Sequence, residues 1–247
     1  MIDVRNYNTW NKKNSGICSK KSVESFLLTS SGAVYGKQPS TVTHIKENEG
    51  YKIDINKFQS AYAEGKRLAE LYCSIYFSHY QLPVKIARCF AFVGPYLPLN
   101  KHFAIGNFIL NTLKGEDIII KGDGTPYRSY LYAADLTAWL WTILLKGENN
   151  TPYNVGSDED YDLKTIANLF TSINPSINVN ILSKSDLSKP VERYVPDITF
   201  IKQSLGLKVQ VDLLEAIKKV WLFIRHFKAF LRKYLQPKKS LTIKITA

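Results

Sequence analysis

Cysteine is scarce in this chain: Cys18, Cys73 and Cys89 are the only three in 247 residues, far apart and without a CxxC. That speaks against a disulfide framework and against a zinc site, and it fits free thiols in a reducing compartment. Histidine is nearly as sparse, and His44, His79, His102 and His226 follow neither a metal-ligand nor a triad spacing. No apolar run reaches the roughly 18 residues that a bilayer-spanning helix needs, and the opening MIDVRNYNTWNKKNSG has no apolar core of a secretory leader. A cytoplasmic location is the expectation. The thirteen glycines form no GxGxxG and no GxxGxxG; Gly122 and Gly124 make the only GxG.

Acidic residues stop well before the C-terminus. The formal charge is +12, from 33 Lys and Arg against 21 Asp and Glu, yet no acid follows Glu215 while lysine and arginine continue to Lys244. The excess belongs to the C-terminal tail, so nucleic acid is not an expected partner. Within IRHFKAFLRKYLQPKK (224–239), Ile224, Phe227, Leu231 and the pair Tyr234/Leu235 form one stripe, with Arg225, Lys228, Arg232 and Lys233 elsewhere. Such a helix either lies on anionic lipid at the inner membrane face or packs on the body with solvated cations.

What is present is enough apolar material for a substantial core: 45% hydrophobic and 13% aromatic residues, suiting one large domain or two modest lobes. SFLLTSSGAVYG (25–36) reads as a buried strand and turn. A polar loop covers 37–58, a long helix 59–80, and LPVKIARCFAFVGP (82–95) a second buried strand. Strand, loop, helix and strand at these lengths predict an α/β unit with a parallel sheet. Helices are expected at 102–115, at 135–147 with Asp135 as N-cap, and at 162–173. Two short strands are expected within 117–132, and further strands at 151–157 and 177–182, before closing helices.

The 59–80 helix carries the first chemical signal. Gly65 lies inside it, where it costs roughly 1 kcal/mol relative to alanine, between Tyr62 and Lys66, which share a face at i and i+4. The YxxxK spacing alone is weak; Tyr234 and Lys238 repeat it, with Pro237 inside. Ser31 strengthens it, because TSSGAVYG places small hydroxyls at the carboxyl edge of a parallel strand, where open α/β folds bind ligands. A phenol loses its proton only near about pH 10, and a neighbouring ammonium favours the phenolate, moving it towards use as a general base. The serine would hold the reacting oxygen, and a glycine between phenol and ammonium leaves room for a flat ligand.

LLTSSGAVYG, YAEGK, RCFAFVGP and GDGTPYRSYLYAADL, in this order, resemble the extended short-chain dehydrogenase/reductases, the NAD-dependent nucleotide-sugar epimerases, dehydratases and reductases, over about residues 24–223. The resemblance implies a partial Rossmann-like, doubly wound parallel sheet with a smaller C-terminal α/β substrate lobe. It divides the chain into residues 1–95 of the cofactor domain, 96–223 mainly nucleotide-sugar lobe (with 132–157 returning to the sheet), and a basic tail at 224–247. By position it makes Ser31 the active-site hydroxyl, Tyr62 the base and Lys66 the residue holding the nicotinamide ribose. Asn107 and Arg128 match diphosphate contacts, and Arg193, in PVERYVPD, offers another. The plainer alternatives are a helix-surface amide for Asn107 and a solvated strand residue for Arg128.

Two departures are visible. Gly32 and Ala33 stand where members that eliminate water carry Asp-Glu, and Ala91 stands where epimerases often have asparagine. The family's glycine-rich turn, where backbone amides receive the dinucleotide pyrophosphate, is missing, and only about thirty residues precede Ser31. The expectation is therefore a chain shortened at its N-terminus, with a bare apolar sheet edge. It would be completed by a separate N-terminal half or else be a remnant that binds NAD poorly; a homodimer is a further expectation. The function implied is an NAD-dependent transformation of a sugar nucleotide in polysaccharide precursor synthesis. The alternative is a non-catalytic nucleotide-sugar-binding or membrane scaffold.

Overall fold

The apolar run near residue 26 folds as β1 (Phe26–Ser31), and Ser31 ends it by capping a 3-10 turn over Gly32–Tyr35, accepting the Ala33 N–H at 3.2 Å. This is a computed structural model, and it describes residues 23–99, 103–186, 188 and 190–234, with side chains through Phe227 in the last helix. The polar opening, Cys18, His102 and the end of the basic tail lie outside the described residues. After β1 come α1 (Ala61–Tyr80), β2 (Val84–Cys89), β3 (Phe92–Val93), α2 (Ala104–Lys114), β4 (Ile118–Ile120), β5 (Tyr127–Arg128) and β6 (Leu131–Tyr132). The chain continues through α3 (Ala133–Lys146), β7 (Pro152–Val155), β8 (Tyr161–Asp162), α4 (Leu163–Thr171), β9 (Val179–Ile181), β10 (Arg193–Tyr194), α5 (Thr199–Leu205) and α6 (Leu213–Tyr234).

The principal sheet runs β1-β2-β7, all parallel, with Ser31 opposite Cys89 and Cys89 opposite Val155. α1 covers one face, setting Ala69 and Cys73 against Leu28, Val84 and Ile86. α3 and α5 cover the other, where Trp139, Ile143 and Ile201 pack on Ala87, Tyr153 and Val155. Helices on both faces of a parallel sheet make this the expected doubly wound α/β arrangement. Among the described residues β1 pairs on one side only. A second cluster gathers α2, α4 and α6 with β4 through Ile109, Ile118, Phe170, Ile217 and Val220. Beside it, β5 pairs parallel with β10 and antiparallel with β8.

Several expectations need correction. Asp135 does not cap its own helix, whose N-cap is Tyr132; its buried carboxylate instead accepts the N–H groups of Gln210 and Val211 at 3.0 and 3.2 Å, tying down the segment before α6. Within 117–132 three short strands form where two were expected: β4 joins β9, β5 joins β8 and β10, and β6 joins β3. In α1 Leu68, Leu71 and Ile75 face outward, and the sheet is met by Ala69 and Cys73. Small side chains let the helix approach the strands closely. Of the two alternatives for the basic helix, Ile224 follows the packing one, buried in the α2/α4/α6 cluster. No helix among the described residues is long and apolar enough to cross a membrane.

Candidate active site

Lys66 reaches across from α1 to β1, its Nζ donating to the Thr29 carbonyl at 2.7 Å. One turn earlier the Tyr62 ring centre stands 5.8 Å from the same ammonium, and Tyr62 is 43% exposed. Ser31, two residues after Thr29, lies at the carboxyl end of the strand, the edge where parallel sheets receive ligands. The three sequence-predicted residues are thus brought to one end of β1. A Cβ built on Gly65 would meet nothing within 4 Å, so no packing inside the chain requires glycine there.

A second phenol completes this corner, one that pattern reading missed. Tyr194, on β10, hydrogen-bonds with Ser31 and lies within electrostatic reach of Tyr62 and Arg128. Burial pushes its phenol up to about 12, against the pull of Ser31 and Arg128. The pull of Ser31 on that phenol is the one a hydroxyl exerts by donating to it, while the Ser31 oxygen itself accepts the Ala33 N–H. Ser31 has a single O–H to give, to the Tyr194 oxygen or to a ligand oxygen. Tyr194 also explains Gly32: a Cβ there would sit 2.7 Å from the Tyr194 hydroxyl oxygen and 2.8 Å from the Phe90 ring. No carboxylate side chain fits at that position without a shift. Cys89, across the sheet from Ser31, is pushed up to about 11 by burial, with Lys66 pulling the other way, which disfavours a thiolate nucleophile.

Ala33 and Ala63, next to the serine and the tyrosine, begin a cleft of about 920 Å³ whose far wall holds Arg128, Glu192, Arg193 and Tyr194. Arg128 donates to the Tyr127 carbonyl and to Glu192 Oε1, both at 2.8 Å. Arg193 pairs with Asp160 and lies 3.9 Å over the Tyr127 ring. Lys37 and Lys52 add positive charge at the rim. Asn107 is exposed on α2 and does not line this cleft. A separate cavity of about 570 Å³, between Lys46–Asn48 and Phe200, contains none of the sequence-predicted site residues.

Beneath the site runs a buried polar network. Arg88 of β2 grips the Glu70 carboxylate of α1 with Nη2 at 2.7 Å and Nε at 3.1 and 3.2 Å, and Ser30 donates to the same carboxylate at 2.5 Å. Arg88 also donates to the Tyr35 hydroxyl at 3.0 Å, which in turn donates to Asn154 on β7 at 2.6 Å. Burial alone would lower the Arg88 pKa, but its bonds to Glu70 outweigh it and hold the guanidinium charged. Burial raises the Tyr35 pKa well above the usual phenol range. Glu70 lies one turn beyond Lys66, so the network fixes α1 against β1 beside the Lys66 contact. A charged residue inside the apolar strand VKIARCF was the sequence signal for it.

Residues 16–156 match the NAD dependent epimerase/dehydratase family, more than half of the chain. UDP-glucuronic acid decarboxylase 5 of Arabidopsis thaliana is 32% identical over 194 residues, 77% of this chain and 55% of that protein. The chain spans about half the length of the curated relatives it matches. UDP-glucose 4-epimerase of Thermotoga maritima, solved with UDP-glucose, superposes with a TM-score of 0.76 at 24% identity, over 92% of this chain and 74% of that one. UDP-glucuronic acid 4-epimerase of Bacillus cereus, solved with UDP-glucuronic acid and NAD, gives 0.72 at 21% identity, over 88% and 66%. At these identities the two structures establish the fold. With the family match, they make this chain a member of the NAD dependent epimerase/dehydratase family, within the extended short-chain dehydrogenase/reductases.

Proposed function

We propose that this chain carries the proton-transfer and nucleotide-sugar-binding part of an NAD-dependent enzyme that oxidises a UDP-sugar and then epimerises, dehydrates or decarboxylates it. The observation that carries this reading is the meeting of Tyr62, Lys66 and Ser31 at the end of β1, beside a cleft walled by two arginines. Tyr62 accepts the proton of the reacting sugar hydroxyl and returns it. Ser31, whose oxygen accepts the Ala33 N–H, donates to that sugar oxygen and aligns it. Lys66, anchored on the Thr29 carbonyl, stands beside Tyr62 and is the residue that would hold the nicotinamide ribose. NAD, when bound, supplies the acceptor and donor of hydride. The open face at Gly65 leaves room for it. Arg128 takes the diphosphate with a fork suited to phosphate oxygens, with Arg193 beside it in the cleft wall; Asn107 lies off this cleft and has no part in that contact. Residues 1–95 and 132–157 would then form the cofactor side and the rest of 96–223 the sugar-nucleotide side.

Calorimetric titration with NAD, UDP-glucose and UDP-glucuronic acid tests this, together with turnover of the same sugars. The expected result is binding of NAD and a UDP-sugar, with turnover reduced about a hundredfold or more in Tyr62→Phe. UDP-sugar binding without NAD binding or turnover would make the chain a nucleotide-sugar-binding protein instead. Binding of neither ligand would end both readings.

A further inference from the structure

Both arginines of the cleft already hold an acid, but the two pairs are built differently. Arg193 and Asp160 are each about four-fifths buried, at 18% and 22% exposure, and the guanidinium is stacked on Tyr127. That pair belongs to the framework of β5, β8 and β10. Glu192 is instead 54% exposed and lines the cleft beside Arg128, which is 24% exposed. Its backbone is held independently, because the Tyr127 N–H donates to the Glu192 carbonyl at 2.8 Å. The Glu192 side chain can therefore swing away without loosening the β5–β10 pairing. Arg128 likewise has a second anchor, the 2.8 Å bond to the Tyr127 carbonyl, which keeps its guanidinium aimed at the cleft when Glu192 leaves.

We infer that Glu192 is a gate on Arg128: its carboxylate occupies the guanidinium edge that a ligand diphosphate takes, and binding exchanges one anion for the other. This rests on the reading of the cleft as a nucleotide-sugar site. The exchange has a direction. A singly charged anion offers Arg128 little that Glu192 does not already provide as a tethered competitor. A diphosphate brings two charges and several acceptor oxygens, so it displaces the carboxylate where weaker anions do not. Once displaced, Glu192 still repels the bound phosphates, and that repulsion lowers affinity. The residue thus sets both the selectivity of the cleft and the ease with which it releases its ligand.

Calorimetry with UDP-glucose on the full chain, at one fixed ionic strength, tests the gate. Glu192→Gln and Glu192→Ala should each bind UDP-glucose roughly two- to fivefold more tightly than the parent, the size expected for release of a partly exposed ion pair. Because Glu192 is exposed, their thermal midpoints should match the parent, which serves as the folding control. Arg128→Met should weaken binding and abolish the gain from Glu192→Gln, as a double-mutant cycle requires of a coupled pair. If the parent binds UDP-glucose and neither Glu192 variant binds it more tightly, the gate is wrong and the proposed function stands. If the gain persists in the Arg128→Met background, Glu192 acts by general repulsion and the gate is again wrong. If parent and variants all fail to bind UDP-glucose, the gate and the functional reading fall together.

Discussion

Two arginine–glutamate pairs in this molecule use the same chemistry in opposite settings. Glu70–Arg88 is buried between α1 and the sheet, with a bidentate contact and further bonds from Ser30 and to Tyr35. Glu192–Arg128 is a single contact at the lip of the cleft, with half of the glutamate in solvent. The first cannot open without stranding a charge in a low-dielectric interior, so it holds the fold around Tyr62 and Lys66 in place. The second can open cheaply, so it suits a surface where a ligand must enter. Surroundings, more than the ion pair itself, decide whether such a contact is structure or function.

The sharpest way to break this comparison is to remove each arginine in turn. Arg88→Met leaves the Glu70 carboxylate buried without its partner and should cost about 3–5 kcal/mol in stability, read from the urea midpoint at constant slope. Arg128→Met should cost no more than about 1 kcal/mol, leaving the loss in UDP-glucose binding. Equal destabilisation by the two would erase the distinction. A smaller effect concerns the open face of α1. Gly65→Ala meets no neighbour in the chain and should stabilise the helix by about 1 kcal/mol while weakening NAD binding; if NAD affinity is unchanged, the glycine is not there for the cofactor. A further effect, read only in alkali, is at Tyr194. Its phenol titrates at about 12 in the folded chain, raised by burial, against about 10 when unfolded. The stability tied to that proton is complete below about pH 10 and is lost as pH rises through the folded value, because the unfolded chain releases the proton first. Tyr194→Phe should therefore flatten the fall of the urea midpoint between about pH 10 and 12, and an unchanged slope would count against Tyr194 as a buried, protonated partner of Ser31.

Local chemistry was the legible part of this chain. Tyr62, Gly65 and Lys66 lie within five residues of one helix, and Ser31 ends an apolar strand, so local pattern together with the family resemblance points to them as one site. The second wall of the cleft is different. β5, β8 and β10 are two residues each and come from segments near 127, 161 and 193, and so short a strand carries no periodic signal. Tyr194 and Glu192 matter through that pairing, and nothing in VERYVP sets them apart from surface residues. The buried side of α1 was hidden for a related reason: periodicity marks a helix, but only the close approach of β1 and β2 selects alanine and cysteine for that side. Arg128 and Arg193 were reachable through family resemblance, their acidic partners only through the fold.

The anchoring of Lys66 on a main-chain oxygen has a consequence for how this protein can change over evolutionary time. A carbonyl is present whatever amino acid stands at position 29, and the Thr29 side chain itself points to the exposed side of β1. Substitution at that position can thus drift widely while the ammonium keeps its post, whereas a one-residue insertion in the strand would remove the carbonyl from reach at once. The vulnerable quantity at this site is chain length, and the tolerant one is residue identity.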